Sequence, residues 1–200
     1  MLKEKFEDKI SFLSKRVFFS LLVIGIIGLS IRILFLHTEI PINSDNFLYF
    51  RSAIDQNMGY FSETHNIAND GWPFFLSLFF SIIPSNNFLD YMVIQRFLTI
   101  GISVVTIIPI YFLGKQFFSR SYAILGSAIF IFEPRIVQNS LFGTTDPLSI
   151  LALTISLALI FNKKYYLQYI SFAILSFSIL VRSEGLFLLP IFFVIFFLRS

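Results

Sequence analysis

The sequence predicts an all-α, polytopic transmembrane helical bundle of about six spans. A large first extracytoplasmic loop holds a juxtamembrane amphipathic helix and an interfacial segment. Three observations predict this. Hydrophobic residues make up 56% of the 200 and charged residues only 14%, against roughly 25% charged in a soluble domain. Mean hydropathy is +0.79. Apolar runs of near-spanning length alternate with short polar stretches, and every Lys falls on one side of the resulting topology. A soluble fold of this size could not hide so much apolar surface, with 28 Phe among it, because its outer shell must be largely polar. The composition excludes a disordered chain and an ordinary cytosolic enzyme, and the lack of Cys excludes a disulfide scaffold. The net charge of +3 does not indicate nucleic acid. The basic residues punctuate apolar runs instead of sharing one face.

Residues 1–16 carry Leu2, Phe6, Ile10 and Leu13 at helical spacing with Lys between them. They fit a helix on the inner membrane face or, as preferred here, a cytoplasmic flank that fixes orientation. The module proper is 17–200. Its first span, 17–36, is too long for a signal-peptide core and long enough to cross. Residues 37–90 form the outer loop. Within it, Phe47, Leu48, Phe50, Ala53 and Ile54 mark a short amphipathic helix. The apolar stretch 72–84 has about 13 residues, short of the ~20 that a bilayer core demands. The remaining spans are 91–113, 121–134, 147–162, 165–181 and 185–198.

Whether 72–84 crosses decides the sidedness of everything after it. If it does not, Lys3, Lys5, Lys9, Lys15, Arg16, Lys115, Arg120, Lys163, Lys164 and Arg199 all face the cytoplasm. The acids, apart from Glu4, Glu7 and Asp8, then lie outside or at the outer interface. The positive-inside rule selects this arrangement. Segment 72–84 is therefore read as interfacial or re-entrant, and the N-terminus as cytoplasmic.

Polar residues at the outer ends need a reason, because ionisable groups at membrane depth are costly. Ser44 or Asp45 is placed to cap the amphipathic helix. A carboxylate there is either a cap alone or a base kept ionised by the helix dipole. Trp72 fits an interfacial anchor and Pro73 the first position of a helix. Arg96, inside the second span, fits phosphate recognition or snorkelling to headgroups. Asp146 can cap the helix that Pro147 opens. Arg182 and Glu184 stand two apart, a spacing that does not face on a helix, so each is expected to pair elsewhere. His37 and His65 are weak metal candidates without a spaced partner motif.

The series Arg32, Ser44-Asp45, Gly71-Trp72-Pro73, Gln95-Arg96, Tyr111-Phe112-Leu113-Gly114-Lys115, Pro134, Thr145-Asp146-Pro147 and Arg182-Ser183-Glu184-Gly185 resembles the N-terminal half of integral membrane glycosyltransferases of the GT-C fold. It looks closest to the glycosyltransferase family 39 or protein O-mannosyltransferase-like branch. The resemblance implies inverting transfer of a sugar from a polyprenyl- or dolichyl-phosphate donor to a protein, lipid or glycan acceptor on the outer side. It implies Asp45 as the base that deprotonates the acceptor hydroxyl. It makes Arg96 and Arg182 candidates for the phosphate, and Asp146 and Glu184 candidates for the sugar or for holding those arginines. The donor stays in the membrane, so no nucleotide-binding loop is needed. Asn46 stands where many relatives have a second acid, which weakens the case for a divalent metal; no cofactor is expected. Relatives are longer, so the chain is expected to be a C-terminally truncated module. The rival readings are a transporter or flippase-like subunit and a non-catalytic membrane scaffold.

Overall fold

The computed structural model describes residues 15–38, 44–60, 69–85 and 87–199, and among them every regular element is helical. Helix α1 (Lys15–Leu34) is a 20-residue apolar rod, about 30 Å long at 1.5 Å per residue. Its inward face is Val17, Leu21, Gly25, Gly28 and Arg32. Gly28 lets α1 approach its neighbour closely: a Cβ there would lie 2.3 Å from Ile131 Cδ1. The amphipathic helix α2 (Ser44–Asn57) and α3 (Gly71–Ile82) follow. Next come α4 (Phe88–Val105) and α5 (Ile107–Phe117). They form one 30-residue apolar rod interrupted at Thr106. Pro109 explains the break, because it has no N–H to offer the Val105 carbonyl.

Helix α6 (Arg120–Phe132) folds back against α5; Gly114 allows this, since its Cβ would sit 3.4 Å from the Ala123 backbone. Then come α7 (Pro134–Phe142), α8 (Asp146–Ile160), α9 (Tyr165–Val181), a 3₁₀ turn (Ser183–Leu188) and α10 (Leu189–Arg199). Of these helices, α1 and the α4–α5 rod are long and apolar enough to cross a membrane; the other apolar helices are shorter.

Three apolar clusters hold the elements together. One joins α2 and α3 to Tyr91, Leu148 and Val181. A second joins α1, α5 and α6 through Leu21, Ile107, Tyr111 and Ile131. The third joins α8, α9 and α10 around Ile160, Leu175 and Phe192. Small residues let α8 and α9 lie close: Ala152 and Ser156 on one, Ser171 and Ser178 on the other, are buried.

Helix α3 has only 12 residues, about 18 Å, well short of a ~30 Å core. Its start is pressed against the end of α9, where a Cβ on Gly71 would fall 2.6 Å from the Leu180 carbonyl carbon. Two expectations are corrected here. Trp72 is fully buried and stacked on Phe75, with ring centroids 5.8 Å apart. It is a core residue and not an interfacial anchor, because α2, α8 and α9 enclose the face it occupies. Pro73 is the third helical residue, still within the first turn, where an N–H has no intrahelical partner.

Segment 133–146 holds a helix between the spans 121–134 and 147–162 that apolar runs alone suggested. Pro134 opens α7, Glu133 Oε2 accepts from the Ile136 N–H at 2.7 Å, and Gly143 ends it at φ +73°. The leading segment 1–14, the stretches 39–43 and 61–68, and with them His65, lie outside the described residues.

Lysines and acids are segregated along the bundle, while Arg32, Arg51, Arg96, Arg135 and Arg182 share the acids' end. The start of α1, the α5–α6 turn and the α8–α9 turn share one end. The Gln116 amide ties α5 to the Ala158 carbonyl at 2.8 Å there, and Phe117 meets Phe161. That end carries Lys15, Arg16, Lys115, Arg120, Lys163 and Lys164. The described acids, Asp55, Asp70, Asp90, Glu133, Asp146 and Glu184, all belong to the opposite end.

Candidate functional site

The acidic end contains an open cleft of about 480 Å³. Ile31, in the last turn of α1, and Phe35 and His37, just past it, form one wall. Phe132, Pro134, Val137, Gln138, Leu141 and Phe142 of α6 and α7 form the other, and Arg96 of α4 reaches in. The lining is mainly apolar, with a single guanidinium. It suits an amphiphile with a hydrocarbon body and an anionic head.

Arg96 is 3% exposed, so it does not snorkel to the surface. Its Nη1 donates to the His37 carbonyl, which holds the segment after α1 against α4. The preceding residue, Gln95, is fully buried and donates through Nε2 to the Gly143 carbonyl at 2.7 Å. Thr99, one turn further, donates to the Ser140 carbonyl at 2.7 Å. One face of α4 thus fixes α7 and the α7–α8 turn against Arg96.

Asp45 is the second residue of α2; its side chain lies outside the described residues. The neighbouring Asn46 is buried, and its amide donates to the Phe142 carbonyl at 3.0 Å. The start of α2 therefore abuts the cleft at Phe142, although no capping contact of Asp45 is described.

Asp146 occupies the first turn of α8, one residue beyond the cap position expected for it. Its Oδ2 accepts from Asn139 Nδ2 at 2.7 Å and from Thr144 Oγ1 at 3.4 Å, and its Oδ1 accepts from Arg182 Nη1. Arg182 also donates to Glu184, Nη2 to Oε1 at 2.7 Å and Nε to Oε2 at 3.3 Å. Arg182 does pair elsewhere, with Asp146, but the expectation that it and Glu184 do not face each other is overturned. Arg182 has extended backbone, φ −149° and ψ 122°, and a 3₁₀ turn follows. The helical spacing argument therefore does not apply. The fork is one planar group gripping one carboxylate. Hydrogen bonding to Glu184 raises the Arg182 pKa, burial opposes this, and the Asp146 charge adds to the rise. The same hydrogen bond holds the Glu184 carboxyl below its usual range. Arg182 is thus tied to two carboxylates away from the cleft lining, whereas Arg96 is one of the lining residues.

The structure brings the start of α2, Arg96, Asp146, Arg182 and Glu184 to one end of the bundle. It adds residues that sequence reasoning did not single out: Asn139, which orients Asp146, Gln138 in the cleft wall, and Ser103 and Ser140, which hold Arg32. The Glu-Pro start and Gly end of α7 were the readable signal for Asn139 and Gln138. Ser103 and Ser140 have no local signal. No cluster of three potential metal ligands occurs among the described residues. His37 turns its ring towards the Phe35 carbonyl, 2.9 Å from Nδ1. Comparison with protein-family models, with curated proteins and with solved structures finds no match for this chain.

Proposed function

We propose that this chain is a multi-pass membrane module of GT-C-like glycosyltransferase type. In this reading it takes a sugar from a polyprenyl- or dolichyl-phosphate donor on the extracytoplasmic side. The observation that carries the reading is the mainly apolar cleft at the acidic end, whose polar lining is Arg96, His37 and Gln138. A membrane-borne donor needs an apolar groove for its prenyl chain and a guanidinium for its phosphate. The Lys-rich end faces the cytoplasm by the positive-inside rule, so the cleft opens on the other side. In this reading the six spans are α1, the α4–α5 rod, α6, α8, α9 and 185–198, the shorter ones matched by local thinning of the bilayer.

In the transfer step the acceptor hydroxyl attacks the anomeric carbon from the face opposite the lipid phosphate. The carbon–oxygen bond to phosphate breaks, and configuration inverts. Asp45 takes the hydroxyl proton, and Arg96 stabilises the charge gathering on the leaving phosphate. The Asp146–Arg182–Glu184 group holds the start of α8 and the end of α9 in place. No step requires a metal, and no nucleic acid is involved. The partners are the lipid-linked sugar, membrane lipids and a protein or glycan acceptor.

The scaffold reading is favoured by one observation, that Arg182 is already tied to Asp146 and Glu184. Sugar transfer separates the two. Membranes bearing the chain, given radiolabelled polyprenyl-phosphate sugars, should label an acceptor, and Asp45→Asn should abolish labelling without altering insertion. Labelling retained in Asp45→Asn would remove the base. No labelling from any donor would leave the scaffold.

A further inference from the structure

Arg32 is the largest charged side chain sealed inside the molecule, with 0% exposure. Its guanidinium makes four hydrogen bonds. Nε donates to Ser140 Oγ at 3.0 Å and Nη2 to Ser103 Oγ at 2.9 Å. Nη1 donates to the carbonyls of Gly28 at 2.9 Å and Ile131 at 3.1 Å. All four acceptors are neutral. No described carboxylate lies within ion-pair range of it, and those of Asp146 and Glu184 are committed to Arg182.

The four acceptors belong to α1, α4, α6 and α7, the helices that supply the cleft's walls and its arginine. Ile31 flanks Arg32, Phe132 flanks Ile131, and Leu141 flanks Ser140; all three line the cleft. A buried charge with only neutral partners is strongly unfavourable. Holding four helices together does not require it, because a neutral amide could fill the space and keep some of these bonds. A positive charge kept at such cost calls for an anion nearby, and the cleft is the adjacent space able to hold one.

We propose that Arg32 is a positioning residue for charge. Lodged behind the cleft, it makes the cleft select a lipid bearing a phosphate over the same lipid without one. This rests on the lipid-phosphate reading above and adds a residue that never touches the ligand. Arg96 meets the anion, and Arg32 sets the potential in which the anion sits. At a separation of about 10 Å and an effective dielectric near 20, one unit charge corresponds to on the order of tenfold in Kd.

The test uses the full chain in zwitterionic lipid nanodiscs, measuring Kd for a polyprenyl phosphate and for the matching polyprenol. The unmodified chain should prefer the phosphate. Arg32→Gln should lose on the order of tenfold in phosphate affinity with unchanged polyprenol affinity, and Arg32→Lys should keep most of the preference. Ser103→Ala and Ser140→Ala, which remove acceptors but leave the charge, should also keep it. They decide the matter if Arg32→Gln does not fold. Equal losses for phosphate and polyprenol in Arg32→Gln, or loss of preference in the serine variants, would make Arg32 a clamp and overturn the proposal. A preference retained in full by Arg32→Gln would overturn it too, leaving the donor reading intact. An unmodified chain indifferent to the phosphate would overturn both. Inorganic phosphate should not displace the lipid; displacement would assign the charge to a soluble anion and refute the lipid selectivity.

Discussion

Replacing Gly143 with alanine should loosen the joint that sets Arg96 against the α7–α8 turn, by an amount that follows from geometry. Gly143 sits at φ +73°, and a Cβ there would stand 3.0 Å from Gln95 Cγ and 3.1 Å from its Nε2. An L-residue in the left-handed region costs about 1 kcal/mol. Pushing Gln95 off the Gly143 carbonyl forfeits a buried neutral hydrogen bond, again about 1 kcal/mol. The sum, about 2 kcal/mol, corresponds to a fall of roughly 4–8 °C in Tm for a chain of this length. The assay is thermal unfolding in nanodiscs followed by intrinsic fluorescence. Gly101 and Gly126 are the controls, since a Cβ on either meets nothing within 4 Å. As helical glycines, each should gain up to about 1 kcal/mol on becoming alanine. In a Gln95→Ala background, Gly143→Ala should cost only the backbone part, about 1 kcal/mol, because the two changes share one contact. A Gly143→Ala Tm equal to or above that of the unmodified chain would refute the reasoning. Strict additivity with Gln95→Ala would refute the shared contact.

Gly71→Ala should be more damaging than Gly143→Ala. Its Cβ meets the Leu180 backbone, which cannot rotate away, so protease accessibility at the α2–α3 loop should rise; unchanged cleavage would deny the close approach. Acidification should weaken the Arg182 latch. The folded Glu184 pKa lies below its ordinary value, so its contribution is complete above the ordinary Glu range and fades as pH falls through the lower, folded value. The effect is small because Glu184 is 62% exposed, and Glu184→Gln should flatten that part of a Tm–pH profile; an unchanged profile would reject the link. Single cysteines at Ser85 and Lys115 should react with impermeant maleimide from opposite sides of sealed vesicles. Labelling from the same side would break the orientation.

The helical segments were legible because apolar runs and their polar punctuation are local properties. The α1, α5–α6 and α8–α9 elements lie within a few residues of where composition put them. What escaped reading was set by contacts distant in sequence. Trp72 looks like an anchor until Leu148 and Val181 close over it. Arg182 and Glu184 look mismatched because spacing rules assume helix, and an extended residue between α9 and the 3₁₀ turn brings them together. Helix α7 lay outside the apolar-run reading although its Pro start and Gly end were present, because nine residues of mixed polarity carry no spanning signal. Arg32 was visible as a charged residue near a span end, but its seal of Gly28, Ser103, Ile131 and Ser140 joins residues up to 108 positions apart. No local pattern encodes that. Asp45 remains a reading from sequence.

The most direct measurement is photo-crosslinking with a diazirine-bearing polyprenyl phosphate, mapped by peptide mass spectrometry on the chain in nanodiscs. Saturable labelling confined to residues 31–37 and 132–142, competed by unlabelled polyprenyl phosphate and lost in Arg96→Met, is the predicted result. Unsaturable labelling spread evenly over the lipid-facing surfaces of α1 and α10, and indifferent to Arg96→Met, would contradict a phosphate-bearing lipid site at the acidic end.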